Sequence, residues 1–123
     1  MLPWDAAALF TDGYVNHQEP AASGGVMGID RASWAAIVTA NHDAFSDLKV
    51  DILLQIAEGD LVATHWRFSA TQTGPYEGHA PTGRSVRWTG VQIDRFEGDK
   101  IAESWVSWDK YSQFEALGLI GKP

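Results

Sequence analysis

The chain has 123 residues, of which 45% are hydrophobic and 20% charged, with a formal net charge of −7 and no cysteine. This length fits one domain over residues 1–123, and the missing cysteines exclude disulfides and thiolate chemistry. The negative charge argues against nucleic-acid binding, which needs clustered Lys and Arg. The sequence has neither a long apolar run nor a signal-like start, so we expect a cytoplasmic protein outside the membrane.

The first third of the chain favours helix and loop. Residues 4–14 (WDAAALFTDGY) contain good helix formers and are predicted to form a short helix that Gly13 ends. Residues 15–28 contain Pro20, Ser23 and three glycines and are predicted to form a loop. Asp30 is the predicted N-cap of a longer helix. One face of that helix carries an apolar stripe with one amide in it, formed by Trp34, Ile37, Val38, Asn41 and Phe45.

From Leu48 the apolar period changes to two, which indicates strands. The first strand is predicted to bury one face, and a turn at residues 58–60 leads to the second from Leu61. After a loop at 73–83, a third strand covers 84–96 and a fourth covers 101–109, followed by a short helix. Helices followed by such a meander predict an α+β fold, a curved and mainly antiparallel sheet wrapped into a cone. No crossover helices separate these strands, so parallel pairing is not expected.

Aromatic side chains on these elements are candidates for the wall of a cavity inside the cone. The alternative is that these side chains simply form the hydrophobic core. In this fold the two alternatives overlap, because the edge of the core is also the wall of the cavity. Tyr14 and Tyr76 each bring a hydroxyl to the expected mouth. The candidate wall consists of Trp34, Trp66, Phe68, Trp88 and Trp108.

Six segments together resemble the SnoaL-like polyketide cyclases of the nuclear transport factor 2-like superfamily. They follow the order of that family and reach across nearly the whole chain. The resemblance implies a cone-shaped α+β barrel, a mostly apolar pocket at the helix–sheet junction, and a homodimer. The segments are YVNH (14–17), AFSDL (44–48), AEGDLVA (57–63), TGPYEGHAPTGR (73–84), VQIDRFEGDKIAESW (91–105) and FEALGL (114–119).

The resemblance also implies a reaction. The cyclases of this family close a ring by intramolecular aldol condensation without metal or organic cofactor, using an Asp, a His and an Asn. The Asn position matches Asn16, the His position matches Gln92 and the Asp position matches Val106. Valine cannot move a proton and glutamine has no usable pKa, so the proton must be moved by another group if the reaction is kept.

Asp109 and His17 are the candidates for that group. Asp109 either caps the following helix or, if its strand is bulged, enters the cavity as an acid/base. His17 lies beside Asn16 in the segment that borders the pocket of the family. Gln92 is a candidate for orienting a carbonyl oxygen, with a buried amide satisfied by backbone as the equal alternative.

Other polar residues are not expected to transfer protons or to bind metal. Asp94 lies near a strand end, where a solvated salt bridge with Arg95 or Lys100 is expected. Three loop histidines have no metal-ligand spacing, so no metal site is expected. They are His17, His42 and His79.

We therefore expect a cofactor-free pocket protein that binds or converts a small hydrophobic carbonyl compound, such as a polyketide, by aldol cyclisation or isomerisation. A non-catalytic binding or dimeric interaction module is the alternative, and epoxide hydrolysis, which would need a carboxylate beside Arg67, is a weaker one. Apolar residues on both sheet faces, such as Val91 opposite Trp88, favour a homodimer through the sheet. The expected substrate-binding residues are Tyr14, Trp34, Asn41, Trp66, Phe68, Trp88, Ser104, Val106 and Trp108.

Overall fold

The computed structural model describes residues 6–18, 27–76 and 80–118. Its helices are α1 (Ala6–Leu9), α2 (Arg31–Ala44) and α3 (Lys110–Ala116). Its strands are β1 (Phe10–Gln18), β2 (Met27–Asp30), β3 (Phe45–Glu58), β4 (Leu61–Gln72), β5 (Ser85–Glu97) and β6 (Lys100–Trp108). The strands form one curved sheet in the order β2-β1-β6-β5-β4-β3, and the predicted α+β fold is confirmed.

Helix α2 carries the chain from β2, at one edge of the sheet, to β3, at the other edge. It starts where the sequence predicts, because the Asp30 carboxylate accepts a hydrogen bond of 2.8 Å from the Ser33 backbone N–H. That bond satisfies an otherwise unpaired donor of the first turn and lowers the pKa of Asp30. Because it connects the two edge strands, the helix crosses the concave face of the sheet and closes one side of the interior.

Glycine residues at the turns allow strands β3 to β6 to form a meander of hairpins. Gly59 and Gly98 have positive φ angles of 59° and 61°, which glycine adopts without steric cost. The β3–β4 and β5–β6 hairpins are antiparallel, as predicted. They bring β6 back to the middle of the sheet, beside β1.

The N-terminal predictions are partly wrong. The helix ends at Leu9, and residues 10–18 form β1 instead of the expected helix and loop. β1 pairs in parallel with β6, contrary to expectation, with Asn16 opposite Ser104. These partners lie far away in sequence, so their pairing overrides local propensity. Parts of the predictions on residues 1–5 and 19–26 fall outside the described residues.

Strand β3 does not have the predicted buried face. Within it only Phe45 is buried, while Ile52 and Ile56 are 62% and 61% exposed. β3 is an edge strand, and its register shifts between Ile52 and Leu54, which moves the alternation to the other face. The first half of β3 therefore faces the interior with its even-numbered residues, and the second half turns Leu54 and Ile56 outward.

The core lies at the end of the cone where β3 begins and α3 packs on the sheet. Phe45 contacts the Phe68 ring edge-on, at a centroid distance of 5.3 Å. Phe68 in turn stacks on Trp88 at 4.4 Å and 12°. This aromatic stack fixes one end of the space between α2 and the sheet. The buried cluster contains Ala44, Phe45, Phe68, Ala70, Val86, Trp88 and Leu117.

Candidate functional site

Two adjacent pockets, here called the two lobes of the cavity, lie between α2 and the concave face of the sheet. The lobes have volumes of about 440 Å³ and about 400 Å³. Four residues line both lobes and so form the wall between them: Asn41, Trp66, Phe68 and Gln92. This shared wall places two amide side chains, Asn41 and Gln92, against two aromatic rings.

The first, aliphatic lobe is open towards β3. Its apolar side consists of Val38, Leu48, Val50 and Ile52, which explains why the inward residues of this edge strand stay exposed. Its polar side consists of His42, Gln55, Thr64 and Asp94. Gln55 donates a hydrogen bond of 3.0 Å to the Thr64 hydroxyl, so that these two side chains largely satisfy each other.

The second, aromatic lobe is lined by Trp34, Tyr76, Trp88 and Trp108, with Val106 and Gln113 beside them. Trp108 Nε1 donates a 2.7 Å hydrogen bond to Gln113 Oε1. Gln113 Nε2 donates a 2.8 Å hydrogen bond to the Tyr76 hydroxyl. These bonds hold the indole and the phenol in place, so the lobe is a preformed slot for a flat apolar group.

Gly90 makes room for the Trp66 indole in the shared wall. A methyl group at Gly90 would overlap the Trp66 ring and lie 2.9 Å from the Ser107 carbonyl oxygen. The indole Nε1 is buried and has no hydrogen-bond partner among the described residues. Packing against bare backbone, rather than hydrogen bonding, therefore sets the position of this ring.

Among the described residues that line the cavity, Asp94 is the one with a carboxylate. Its side chain is 7% exposed, and it accepts hydrogen bonds from Ser104 Oγ at 2.6 Å and from Gln92 Nε2 at 2.9 Å. No salt bridge to Asp94 exists in the part of the chain that the structure describes. The expected solvated pairing with Arg95 or Lys100 is therefore wrong, because Asp94 points to the concave face.

A chain of hydrogen bonds continues behind Asp94. Asn16 Nδ2 donates to the Tyr14 oxygen at 2.8 Å, and the Tyr14 hydroxyl also bonds Ser104. Burial, with a smaller effect from the negative Asp94, raises the pKa of Tyr14 against the opposing hydrogen bonds, so its phenol stays protonated at neutral pH. The buried Asn16 Oδ1 has no partner among the described residues.

The structure brings most of the expected substrate-binding residues to the cavity. Tyr14 and Ser104 are the exceptions, since both are buried behind Asp94 and neither is part of the cavity wall. Of the expected catalytic residues, Gln92 lines both lobes, and Asn16 lies in the chain of bonds behind them. The expected binding residues in the wall are Trp34, Asn41, Trp66, Phe68, Trp88, Val106 and Trp108.

His17 lies on the convex face, away from the cavity. Its Nε2 is 2.7 Å from Glu103 Oε2, and its ring stacks on Trp105 at 5.4 Å. Glu103 also accepts a 3.2 Å hydrogen bond from Arg95 Nε. Hydrogen bonding to His17 first, and then to Arg95, lowers the pKa of Glu103. The geometry thus gives His17 a surface pairing rather than a place in the cavity.

Asp109 caps α3, the first of its two predicted alternatives. Its carboxylate accepts hydrogen bonds from the Ser112 backbone N–H at 3.0 Å and from Ser112 Oγ at 2.6 Å. These bonds lower its pKa. The side chain is exposed and forms no part of either lobe.

Two further functions find no support in the geometry. Arg67 points outward and pairs with Asp51 at 3.4 Å, so the carboxylate that epoxide hydrolysis needs beside this arginine is not in the cavity. Over residues 6–18, 27–76 and 80–118 no group of three or more His, Asp or Glu side chains could hold a metal ion.

None of the helices described here has the length and apolar character needed to cross a membrane. His79 lies outside the described residues.

The sequence prediction for Asp94 was a solvated salt bridge, although the signal for an inward position was present. Asp94 shares its face with Gln92 and Trp88, which the alternation of β5 shows. The strand end suggested solvent, but β5 continues to Glu97 and pairs Asp94 with Ser104 in the middle of the sheet. The length of the neighbouring strand, which only the fold supplies, decides that Asp94 is buried.

Comparison with known proteins gives one family and one fold. The profile of the SnoaL-like polyketide cyclase family matches residues 3–117. AclR of Streptomyces galilaeus, a proposed hydroxylase, is 26% identical, with a TM-score of 0.80 over 94% of this chain and 81% of its own. IdmH of Streptomyces antibioticus, a proposed polyketide cyclase, is 25% identical, with a TM-score of 0.74 over 89% and 82%.

A more distant structure shows the fold alone. A Catenulispora acidiphila protein with a ketosteroid isomerase-like fold is 19% identical, with a TM-score of 0.69 over 94% of this chain and 82% of its own. Comparison with curated protein sequences gives no match.

Proposed function

Because this chain belongs to the SnoaL-like polyketide cyclase family, we propose that its cavity binds a small hydrophobic carbonyl compound and converts it without a cofactor. The reaction is aldol cyclisation or isomerisation of a polyketide-like molecule. The observation that carries this proposal is the two-lobed cavity with an amide-bearing wall between its lobes.

The size and lining of the cavity support a small apolar ligand. Pockets for such ligands have volumes of roughly 300–1,000 Å³, are mostly apolar, and use a few polar groups to orient the ligand. Each lobe is within that range at about 440 Å³ and about 400 Å³. The aromatic lobe suits a flat ring, and the aliphatic lobe suits a flexible chain.

The shared wall suits carbonyl chemistry. Both aldol addition and isomerisation begin when a C–H bond next to a carbonyl breaks, which leaves negative charge on the carbonyl oxygen. Amide N–H groups such as those of Gln92 and Asn41 can donate hydrogen bonds to that oxygen. Both reactions are redox-neutral, so their atoms and electrons balance without a cofactor.

Binding is tested with α-tetralone, a flat ketone whose ring matches the aromatic lobe. Quenching of the intrinsic tryptophan fluorescence is expected on titration, because several indoles form the wall. Val106→Phe should weaken binding at least about tenfold by filling the lobe, whereas Val91→Phe on the convex face should not. If neither α-tetralone nor larger aromatic ketones bind at millimolar concentration, the proposed function is wrong.

One observation favours a non-catalytic binding module as the second candidate. Val106 stands at the position of the family's proton-moving Asp, lies in the wall of the aromatic lobe, and has no group that could transfer a proton. A chain of this kind would bind α-tetralone and leave its C–H bonds unchanged. Hydrogen exchange, described below, separates the two candidates.

We also propose that a second copy of the chain covers the convex face. Ile56, Ala63, Ile93 and Trp105 are aligned across four neighbouring strands, and the three large ones are exposed. Exposed apolar patches of this kind mark interaction surfaces. Sedimentation of the protein at micromolar concentration tests this, and a purely monomeric species would contradict it. The outer apolar patch consists of Leu54, Ile56, Leu61, Val91, Ile93 and Trp105.

A further inference from the structure

Among the described residues that line the two lobes, Asp94 is the one carboxylate. It lies beside Gln92, which belongs to the wall that both lobes share. A base placed there borders the shared wall, where the two amides would meet the carbonyl of a ligand. The cavity therefore contains a proton acceptor, although the family's own positions for one are Gln92 and Val106.

We propose that Asp94 is the catalytic base of this protein, the group that removes and returns the proton next to the substrate carbonyl. This assignment rests on the proposed function, because it needs a carbonyl compound in the cavity. It places the reacting carbon of the ligand at the junction of the two lobes, with the carbonyl oxygen towards the amide of Gln92.

The register of β5 and β6 shows how the position of Asp94 relates to the family's catalytic positions. Gln92 lies opposite Val106, and Asp94 lies opposite Ser104. Both pairs face the cavity side of the sheet, and they are separated by two residues along the strand, a distance of about 7 Å. The carboxylate is thus displaced by one cross-strand pair from the family's positions and stays within reach of the same space.

The hydrogen bonds around Asp94 all point towards its carboxylate. Ser104 has a single proton, which it donates to Asp94 Oδ1 at 2.6 Å. Ser104 also bonds the Tyr14 hydroxyl, whose oxygen accepts a hydrogen bond from Asn16 at 2.8 Å. These hydrogen bonds fix the orientation of the carboxylate. Ser104, Tyr14 and Asn16 are therefore positioning residues.

Gln92 has two roles in this arrangement. One N–H of its Nε2 is shared between both carboxylate oxygens of Asp94, at N–O distances of 2.9 Å and 3.2 Å. An amide nitrogen carries two hydrogens, so a second N–H remains for an oxygen of the ligand. The same side chain orients the base and stabilises the charge that the base creates.

The reaction balances with this one carboxylate. Asp94 takes the proton from the carbon next to the carbonyl, and the electron pair of the C–H bond moves to the carbonyl oxygen. In isomerisation, the protonated Asp94 returns the proton to another carbon. In aldol cyclisation, the enolate carbon bonds to a second carbonyl carbon, and Asp94 gives the proton to the new alkoxide. Asp94 gives back the one proton that it took up and is regenerated for the next cycle.

Two other titratable groups face this region. Tyr14 stays protonated because burial raises its pKa, so it cannot act as the base at neutral pH. His42 lines the aliphatic lobe and is the second titratable group there besides Asp94, among the lining residues that the structure describes. The experiment must therefore separate Asp94 from His42.

The test is exchange of the α-hydrogens of α-tetralone in deuterium oxide, followed by proton NMR. The wild-type protein should accelerate exchange, and Asp94→Asn should reduce this acceleration by about 100-fold or more, the usual share of a general base. Asp51→Asn, on the convex face, is the matched control and should leave the rate unchanged. Fluorescence titration with α-tetralone should show that Asp94→Asn still binds and is folded.

The positioning role of Ser104 has its own readout. Ser104→Ala removes the 2.6 Å hydrogen bond that orients the carboxylate, so the maximal exchange rate should fall by about tenfold, while the α-tetralone concentration at half-maximal rate stays the same. Ser107→Ala, on the same strand but exposed on the opposite face, should leave both quantities unchanged. A purely structural effect of Ser104 would also change the half-saturating concentration, and Ser104→Thr, which keeps a hydroxyl, would not restore the rate.

The outcomes separate the assignment from the proposed function. If no aromatic ketone binds the wild type, the proposed function fails and Asp94 loses its role with it. If α-tetralone binds but does not exchange, or exchanges equally fast with Asp94→Asn, the assignment alone is overturned. Loss of exchange in His42→Gln or Asp109→Asn, with Asp94→Asn unaffected, would overturn it as well.

Discussion

Neighbouring residues of β5 and β6 belong to two very different surfaces. On the concave face, Asp94 and Ser104 are 7% and 2% exposed and bond each other inside the cavity. On the convex face, one residue away in each strand, Ile93 and Trp105 are both 39% exposed. Polar groups are buried and apolar groups are exposed, the reverse of the usual arrangement. The comparison shows that the strand alternation separates a ligand cavity from an interaction surface.

The carboxylates of the two faces differ in the same way. Glu103, on the convex face, is paired with His17 and Arg95 and remains in contact with solvent. Asp94 has only neutral donors among the described residues. A surface ion pair contributes little to stability, whereas a buried carboxylate without a cation depends on hydrogen bonds from neutral groups to offset its burial. This contrast, more than any motif, singles out Asp94.

The largest effect is expected from removing a core ring on the concave face. Phe45→Ala should lower the free energy of unfolding by about 3–5 kcal/mol, since a fully buried aromatic ring leaves a cavity. Ile56→Ala on the convex face should change it by only about 0.5 kcal/mol in the monomer, because this side chain is mostly exposed. Urea unfolding at low protein concentration measures both. Equal losses would mean that the faces do not differ in packing.

The next effect concerns the wall between the lobes. Gly90→Ala should lower the free energy of unfolding by about 1–3 kcal/mol, because the new methyl group displaces the Trp66 ring. Gly13→Ala is the matched control, since a Cβ there meets nothing within 4 Å. The near-ultraviolet circular dichroism of the tryptophans should change only in the Gly90 variant. An unchanged spectrum would contradict the close packing of Trp66 on Gly90.

A smaller effect is expected on the convex face, where association can be changed without touching the cavity. Ile93→Glu should weaken self-association at least about tenfold, or about 1.4 kcal/mol, because it puts a charge in the middle of the outer apolar patch. Ser69→Glu, outside that patch, should not. Sedimentation velocity measures the association, and binding of α-tetralone should be the same in both variants. Loss of ligand binding in Ile93→Glu would mean that the two faces are coupled.

The smallest effect is the pH dependence from the convex face. Hydrogen bonds to His17 and Arg95 lower the pKa of Glu103 below its ordinary 4.5 in the folded protein. Its contribution to stability is therefore complete above pH 4.5 and is lost as the pH falls through the lower folded value. Between pH 6 and pH 3, the melting temperature of Glu103→Gln should fall less than that of the wild type. The control Glu58→Gln, at the end of β3, should follow the wild type.

The strongly periodic elements could be predicted from sequence, and the elements that depend on distant partners could not. Helix α2 has its cap and its stripe within one stretch, and the hairpins have glycines at their turns. β1 has no such local signal, because its pairing with β6 joins residues such as Asn16 and Ser104. The exposed face of β3 was missed because a bulge, invisible in the alternation, changes which side chains face inward.

The site was predictable in its apolar part only. The aromatic residues were recognised because large rings on the inward face of a strand have few other places to go. The proton-moving candidates were chosen from positions near strand ends and loops, which led to His17 and Asp109. The structure places His17 on the convex face and Asp109 at the start of α3.

The sequence by itself determined the family, the α+β fold and the aromatic wall of the cavity. These depend on periodicity, turn residues and ordered segments, all of which are local properties of the chain. The tertiary structure alone decided which polar residue is buried against that wall. Burial depends on which strand lies alongside, and only the pairing of Asp94 with Ser104, below α2, removes that carboxylate from water and directs it into the cavity.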